Sequence, residues 1–90
     1  MPRKSFDVSI RKAERRLAST IQHKLRVVLN CYTIKNFEIN EEEKTFSFNK
    51  TNRIRGIVIN DSKNYQGHYT LEKNENPIED REYILTIIVN

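Results

Sequence analysis

The apolar positions of this 90-residue chain change period part-way along it. From Phe6 to Val28 they recur at helical spacing. Phe6, Ile10, Ala13, Leu17, Ile21 and Val28 are four, three, four, four and seven residues apart. At about 100° per residue that puts them in one stripe. No Gly or Pro interrupts the run. Ser5 is suited to cap its start, Asp7 to sit at the positive end of the helix dipole, Lys24 and Arg26 at the negative end, and Asn30 to stop it. The pattern predicts one long amphipathic helix over 6–29.

After Asn30 the period is two. Strands are expected over 32–39, 45–49, 53–60, 65–72 and 82–89, joined by polar connections at 40–44, 50–52, 61–64 and 73–80. Gly56 and Gly67 fall inside expected strands, as a bulge or a close backbone approach would require. Short links between consecutive strands imply antiparallel pairing. The expected fold class is α+β: a single domain, 1–90, with one long N-terminal amphipathic helix packed on an antiparallel β-meander of four to five strands.

Two of these strands are apolar on both faces. In the third, Ile54 and Val58 would point one way and Ile57 and Ile59 the other; in the last, Tyr83, Leu85, Ile87 and Val89 oppose Ile84 and Ile88. One helix covers one face of a sheet. The second face then needs strong curling or a second subunit, so a homodimer through the sheet is expected.

Composition narrows the function classes. The chain is 37% hydrophobic and 31% charged, which suits a globular domain with a well-solvated surface. Cys31 is the single cysteine, so no intrachain disulfide forms; it is expected as a small buried residue at a helix–strand junction. One Cys and two His do not make a usual zinc site, and no glycine-rich phosphate loop occurs, so neither metal nor cofactor is expected. No apolar run approaches the roughly 18 residues of a membrane span. Arg11, Lys12, Arg15 and Arg16 stand where a signal peptide would be apolar, so a cytoplasmic protein without a membrane partner is expected.

Charge is the most informative feature. The net charge is +4, but residues 1–30 hold eight Lys/Arg against Asp7 and Glu14, while the other sixty residues hold eight against ten acids. On the helical wheel, Lys4, Arg11, Lys12, Arg15, Arg16, His23 and Arg26 fall within roughly 140° of arc, away from the apolar stripe. Several cations on one surface can neutralise phosphates together and release counterions. The expectation is a small non-enzymatic nucleic-acid-binding protein, DNA or RNA unspecified, using that basic face. Tyr32, Tyr65 and Tyr69 would stack on bases if exposed.

Two alternatives use the same residues differently. A protein–protein module, such as an inhibitor, accessory or regulatory protein, would dock an acidic partner on the same face. A metal-independent ribonuclease would need a general acid and base, for which His68 and Glu72 share a strand face, with Arg53 and Arg55 on a neighbouring strand for the phosphate. The acid-x-Lys patterns at Glu42–Lys44 and Asp61–Lys63 fall at expected hairpin turns and read as exposed tips.

Overall fold

The computed structural model describes residues 4–10, 17–76 and 81–90. In chain order the elements are β1 (Lys4–Ile10), α1 (Leu17–Val28), β2 (Thr33–Asn40), β3 (Thr45–Ile54), β4 (Ile57–Lys73) and β5 (Tyr83–Val89). The strands form one antiparallel sheet in the order β1-β5-β4-β3-β2. The α+β class holds, but the sheet dominates and the helix is short.

The long N-terminal helix is corrected. Lys4–Ile10 is a strand, paired antiparallel with β5 from Lys4↔Val89 to Ile10↔Tyr83. Phe6 and Ile10 satisfy either period, but Val8 between them, with Ser5, Asp7 and Ser9 alternating, satisfies only a period of two. Phe6 and Val8 are half-buried against the core and Ile10 is buried. Ala13 and the basic residues Arg11, Lys12, Arg15 and Arg16 lie outside the described residues.

The helix that does form covers the apolar face of the sheet, nearest β2. Ile21 and Leu25 have no solvent exposure, and each contributes about 1.5–3 kcal/mol by burial. Val28, expected in the stripe, is instead 40% exposed; Leu25 takes its place one turn earlier. Asn30 ends the helix as expected. Its φ is 51°, its N–H donates to the Val27 carbonyl at 3.2 Å, and the Cys31 N–H donates to the Arg26 carbonyl at 3.2 Å. This is the 6→1 and 5→2 pattern of a left-handed helix stop. Cys31 follows it into the interior, where burial pushes its thiol pKa up.

Three expected strands prove to be two long ones. β3 runs straight through 50–52, and the chain reverses at Arg55-Gly56, inside the strand expected over 53–60. Both turn residues have positive φ, 52° and 80°, the signature of a two-residue hairpin loop whose second position favours glycine. The polar stretch 61–64 is a bulge in β4: Phe48 pairs with Tyr65 but Lys50 already pairs with Asp61. Gly67 answers a different need. A Cβ there would lie 2.5 Å from Cζ of Phe46, its cross-strand neighbour, and closer still to the Ile88 carbonyl.

The core lies between α1 and the face bearing Phe46, Phe48, Tyr69, Leu85, Ile87 and Val89. Phe37, Phe46, Phe48 and Tyr65 stack in series at centroid separations of 5.9, 6.0 and 5.3 Å. On the opposite face, Ile84 and Ile88 are only half-exposed. Each is isolated among polar cross-strand neighbours: Ser9 and Glu72 for Ile84, Ser5 and His68 for Ile88. They make no continuous patch.

The molecule measures 43 × 27 × 25 Å. Its radius of gyration of 14.1 Å exceeds the about 12 Å of a compact chain of this length. The cause is the stagger of the strands. β2 stops pairing at Thr33↔Thr51, and β5 at Gly67↔Val89, so Asn52–Ile54 and Ile57–Ile59 continue alone as a two-stranded arm.

Candidate nucleic-acid interface

The seven residues expected on one basic helix face divide. His23 and Arg26 remain together, exposed one turn apart on α1. With Gln22, Thr33 and Ile34 they line a shallow depression between α1 and β2. Lys4 is on β1, paired with Val89, and so is not on the helix at all. Arg11, Lys12, Arg15 and Arg16 lie outside the described residues, between the two core-anchored positions Ile10 and Leu17.

A second basic region appears where the fold brings the helix end and the arm together. The chain leaves α1 through the Asn30 stop, and the Tyr32 N–H donates to the Thr51 carbonyl at 2.8 Å. That fastens the helix exit to the root of the arm. Ile34 pairs with Lys50 and Lys35 with Asn49 alongside. Arg53 crosses the exposed Tyr32 ring with its guanidinium 5.6 Å from the centroid, a cation–π arrangement. Arg55 stands exposed in the tip turn.

The arm's root is pinned by a polar cluster around Tyr65. The Tyr65 hydroxyl donates to Asp61 Oδ2 at 2.5 Å, and the Lys63 N–H donates to Asp61 Oδ1 at 3.0 Å. Asn49 Nδ2 donates to the Lys63 carbonyl at 2.9 Å, which closes the bulge onto β3. The Lys50 and Lys63 ammonium groups lie 5.4 and 5.0 Å from the Tyr65 ring centre. Lys50 also approaches Asp61 at 3.8 Å. The phenol's bond to Asp61 holds that carboxyl below the usual range, and the same bond pushes the Tyr65 phenol up to about 12.

The resulting charge map is polar end to end. Residues 22–35 and 50–63 hold seven Lys/Arg and one acid, Asp61. The other described residues hold four Lys/Arg and eight acids, three of them the run Glu41–Glu43 in the β2–β3 turn. Sequence reasoning missed this because a division at residue 30 averages the basic arm with that acidic turn. The usable signal was Arg53-Ile54-Arg55-Gly56, a glycine turn between alternating apolar residues.

The aromatic candidates also divide. Tyr32 is 44% exposed, whereas Tyr69 is 3% exposed and unavailable for stacking. Tyr65 is half-buried against Phe48. The ribonuclease constellation does not assemble. His68 and Glu72 share the outer face of β4, but His68 is level with Thr45, eight residues down β3 from Arg53. At about 3.3 Å per residue that is about 26 Å. Among the described residues no group of three or more His, Cys, Asp or Glu is placed to hold a metal ion, and no helix is long and apolar enough to cross a membrane.

Compared with known proteins, the chain matches no family model, no curated protein and no solved structure.

Proposed function

We propose that the protein is a small nucleic-acid-binding module that holds phosphates at the end where α1 exits and the arm projects. The observation that supports this is the concentration of Arg26, Lys35, Arg53, Arg55 and their neighbours at one end, against a single acid already engaged by Tyr65, Lys63 and Lys50. Polyanion binding needs such a concentrated field, because neutralising several phosphates together releases several counterions. Arg53 and Arg55 offer planar donors suited to phosphate oxygens. Tyr32 offers a ring face for an unpaired base. The basic segment Arg11–Arg16 adds four further cations by sequence.

An acidic protein partner is the alternative reading. It is favoured by the exposed isoleucines among the arm's arginines, since interfaces combine apolar and Arg contacts.

The deciding experiment is binding to single- and double-stranded DNA and RNA across a range of salt. Wild-type affinity should fall with log salt by about 0.7–0.9 per phosphate neutralised. Arg53→Ala with Arg55→Ala should flatten the slope by about one to two units and weaken all sequences alike. Lys44→Ala with Lys73→Ala, at the acidic end, should leave it unchanged. Absence of binding to any nucleic acid at low salt would remove the reading in favour of the acidic partner.

A further inference from the structure

The arm carries a strand edge that lacks the usual protections. An exposed edge is a template for pairing with another chain unless charge, a bulge or a covering group blocks it. The two outer edges of the sheet are each interrupted at one point. Arg81 Nη1 donates to the Ser9 carbonyl on β1 at 3.4 Å. β2 is broken between Lys35 and Glu38, with Asn36 at a φ of 54°. The upper edge of β4 has neither device. Ile57, Val58 and Ile59 follow one another there, 65, 50 and 46% exposed, and β5 does not reach them. A two-stranded ribbon alone in water is marginal.

We propose that this edge pairs antiparallel with the same edge of a second copy of the chain, forming a four-stranded ribbon about a two-fold axis through Val58. The register follows from the turn. A two-residue loop makes Ile54↔Ile57 a pair that exchanges both N–H···O bonds, so Val58 directs its own N–H and carbonyl outward. With Val58 opposite Val58, each Ile57 lies opposite the partner's Ile59. Ile54, Ile57 and Ile59 share one face, so six isoleucines form a single strip. The next register the bonding allows, centred on Ile59, sets Ile57 against the partner's Asp61 and loses that match. The contact is isologous and closes on itself. It is also small, so the dimer is a weak one, with Kd in the micromolar to millimolar range.

Sedimentation equilibrium from micromolar to millimolar protein tests this. Salt of about 0.15 M keeps the arginines of the two arms screened beyond about 8 Å. The mass should rise from 10.7 kDa toward twice that value. Val58→Pro removes the outward N–H without taking a bond from β3, besides fixing φ there, and should raise Kd at least about tenfold. Val58→Cys gives a readout independent of that variant's folding. Opposed residues in a hydrogen-bonded antiparallel pair lie about 5.5 Å apart at Cα, within the about 4.4–6.8 Å a disulfide spans. Mild oxidation should therefore link Val58→Cys chains covalently, while Leu71→Cys, exposed lower on β4, should stay single. A monomer throughout the concentration range, or Val58→Cys linking no faster than Leu71→Cys, overturns the proposal.

Discussion

Leu85 and Ile57 are both aliphatic residues in regular antiparallel strands, yet Leu85 is fully buried and Ile57 is 65% exposed. The difference lies in what surrounds each strand. β5 has a strand on either side and α1 over its apolar face. The arm has one partner strand and no layer above it. Alternation therefore says which residues share a face, and not whether that face is covered. The sheet body and the arm differ in what holds them. Packing holds the body, and cross-strand hydrogen bonds with the Tyr65–Asp61 cluster hold the arm.

The largest effects should separate the two regions. Phe48 is fully buried in the middle of the aromatic series. Phe48→Ala should cost about 3–5 kcal/mol in urea unfolding, a large part of the stability of a small domain. Ile57→Ala should cost less than about 0.5 kcal/mol at protein concentrations low enough to keep the chain single. A comparable loss at both sites would mean that the arm is packed.

The same contrast explains what was legible in the sequence. Leu85, Ile87 and Val89 alternate in a strand bounded by a polar stretch, and both their strand and their burial are readable. Phe6 and Ile10 are four apart, which a helix and a strand satisfy equally; Val8 tips the balance only if the chain after Ile10 is not assumed to continue the helix. The reversal at Arg55-Gly56 was hidden because isoleucines flank it on both sides, so the stretch resembles one continuous strand. Placing the turn there regroups the arm, with Ile54, Ile57 and Ile59 on one face and Val58 with Arg53 on the other. The basic region of the arm was hidden for the same reason. The arm's cations are separated in sequence from Arg26 by the acidic β2–β3 turn, and only strand pairing brings them to the helix exit.

The helix supplies a second test of covered against uncovered positions. Leu25 and Val28 are three apart on α1, but the first is fully buried and the second 40% exposed. Leu25→Ala should cost about 2–5 kcal/mol, and Val28→Ala less than about 1 kcal/mol. Equal costs would restore Val28 to the apolar stripe.

The glycines sharpen the comparison further. Gly67 sits in the body under the Phe46 ring, whereas Gly56 sits at the arm tip with nothing near its missing Cβ. Gly67→Ala should cost about 1–3 kcal/mol by overpacking against backbone and ring. Gly56→Ala meets no atom, but at a φ of 80° it should cost about 1 kcal/mol through backbone strain. The two losses should differ in kind: Phe46→Leu should relieve the ring's share of the first, leaving the share set by the Ile88 carbonyl, and should leave the second unchanged.

The smallest effect should come from the hydrogen bond at the arm's root. The Tyr65 phenol donates to Asp61, so the fold favours the protonated phenol and the ionised carboxylate. Tyr65 is raised from 10.0 to about 12, so its contribution is fully present below pH 10.0 and is lost as pH rises through about 12. Asp61 is shifted the other way, below 3.8; its contribution is present above pH 3.8 and fades as pH falls below that value. The arm's root should therefore be intact across the whole neutral range. A phenolate absorbance titration checks this. Tyr69 is also raised, by burial, so the Tyr65 transition is isolated as the difference between wild type and Tyr65→Phe. That difference should centre near 12, and Asp61→Ala should move it toward 10.0. Hydrogen exchange in the same variant should quicken at Arg53–Asn60 and not at β5, because the bulge that closes the arm onto β3 loses two of its bonds. A Tyr65 transition near 10.0 in the wild type would leave the arm with strand pairing alone to hold it.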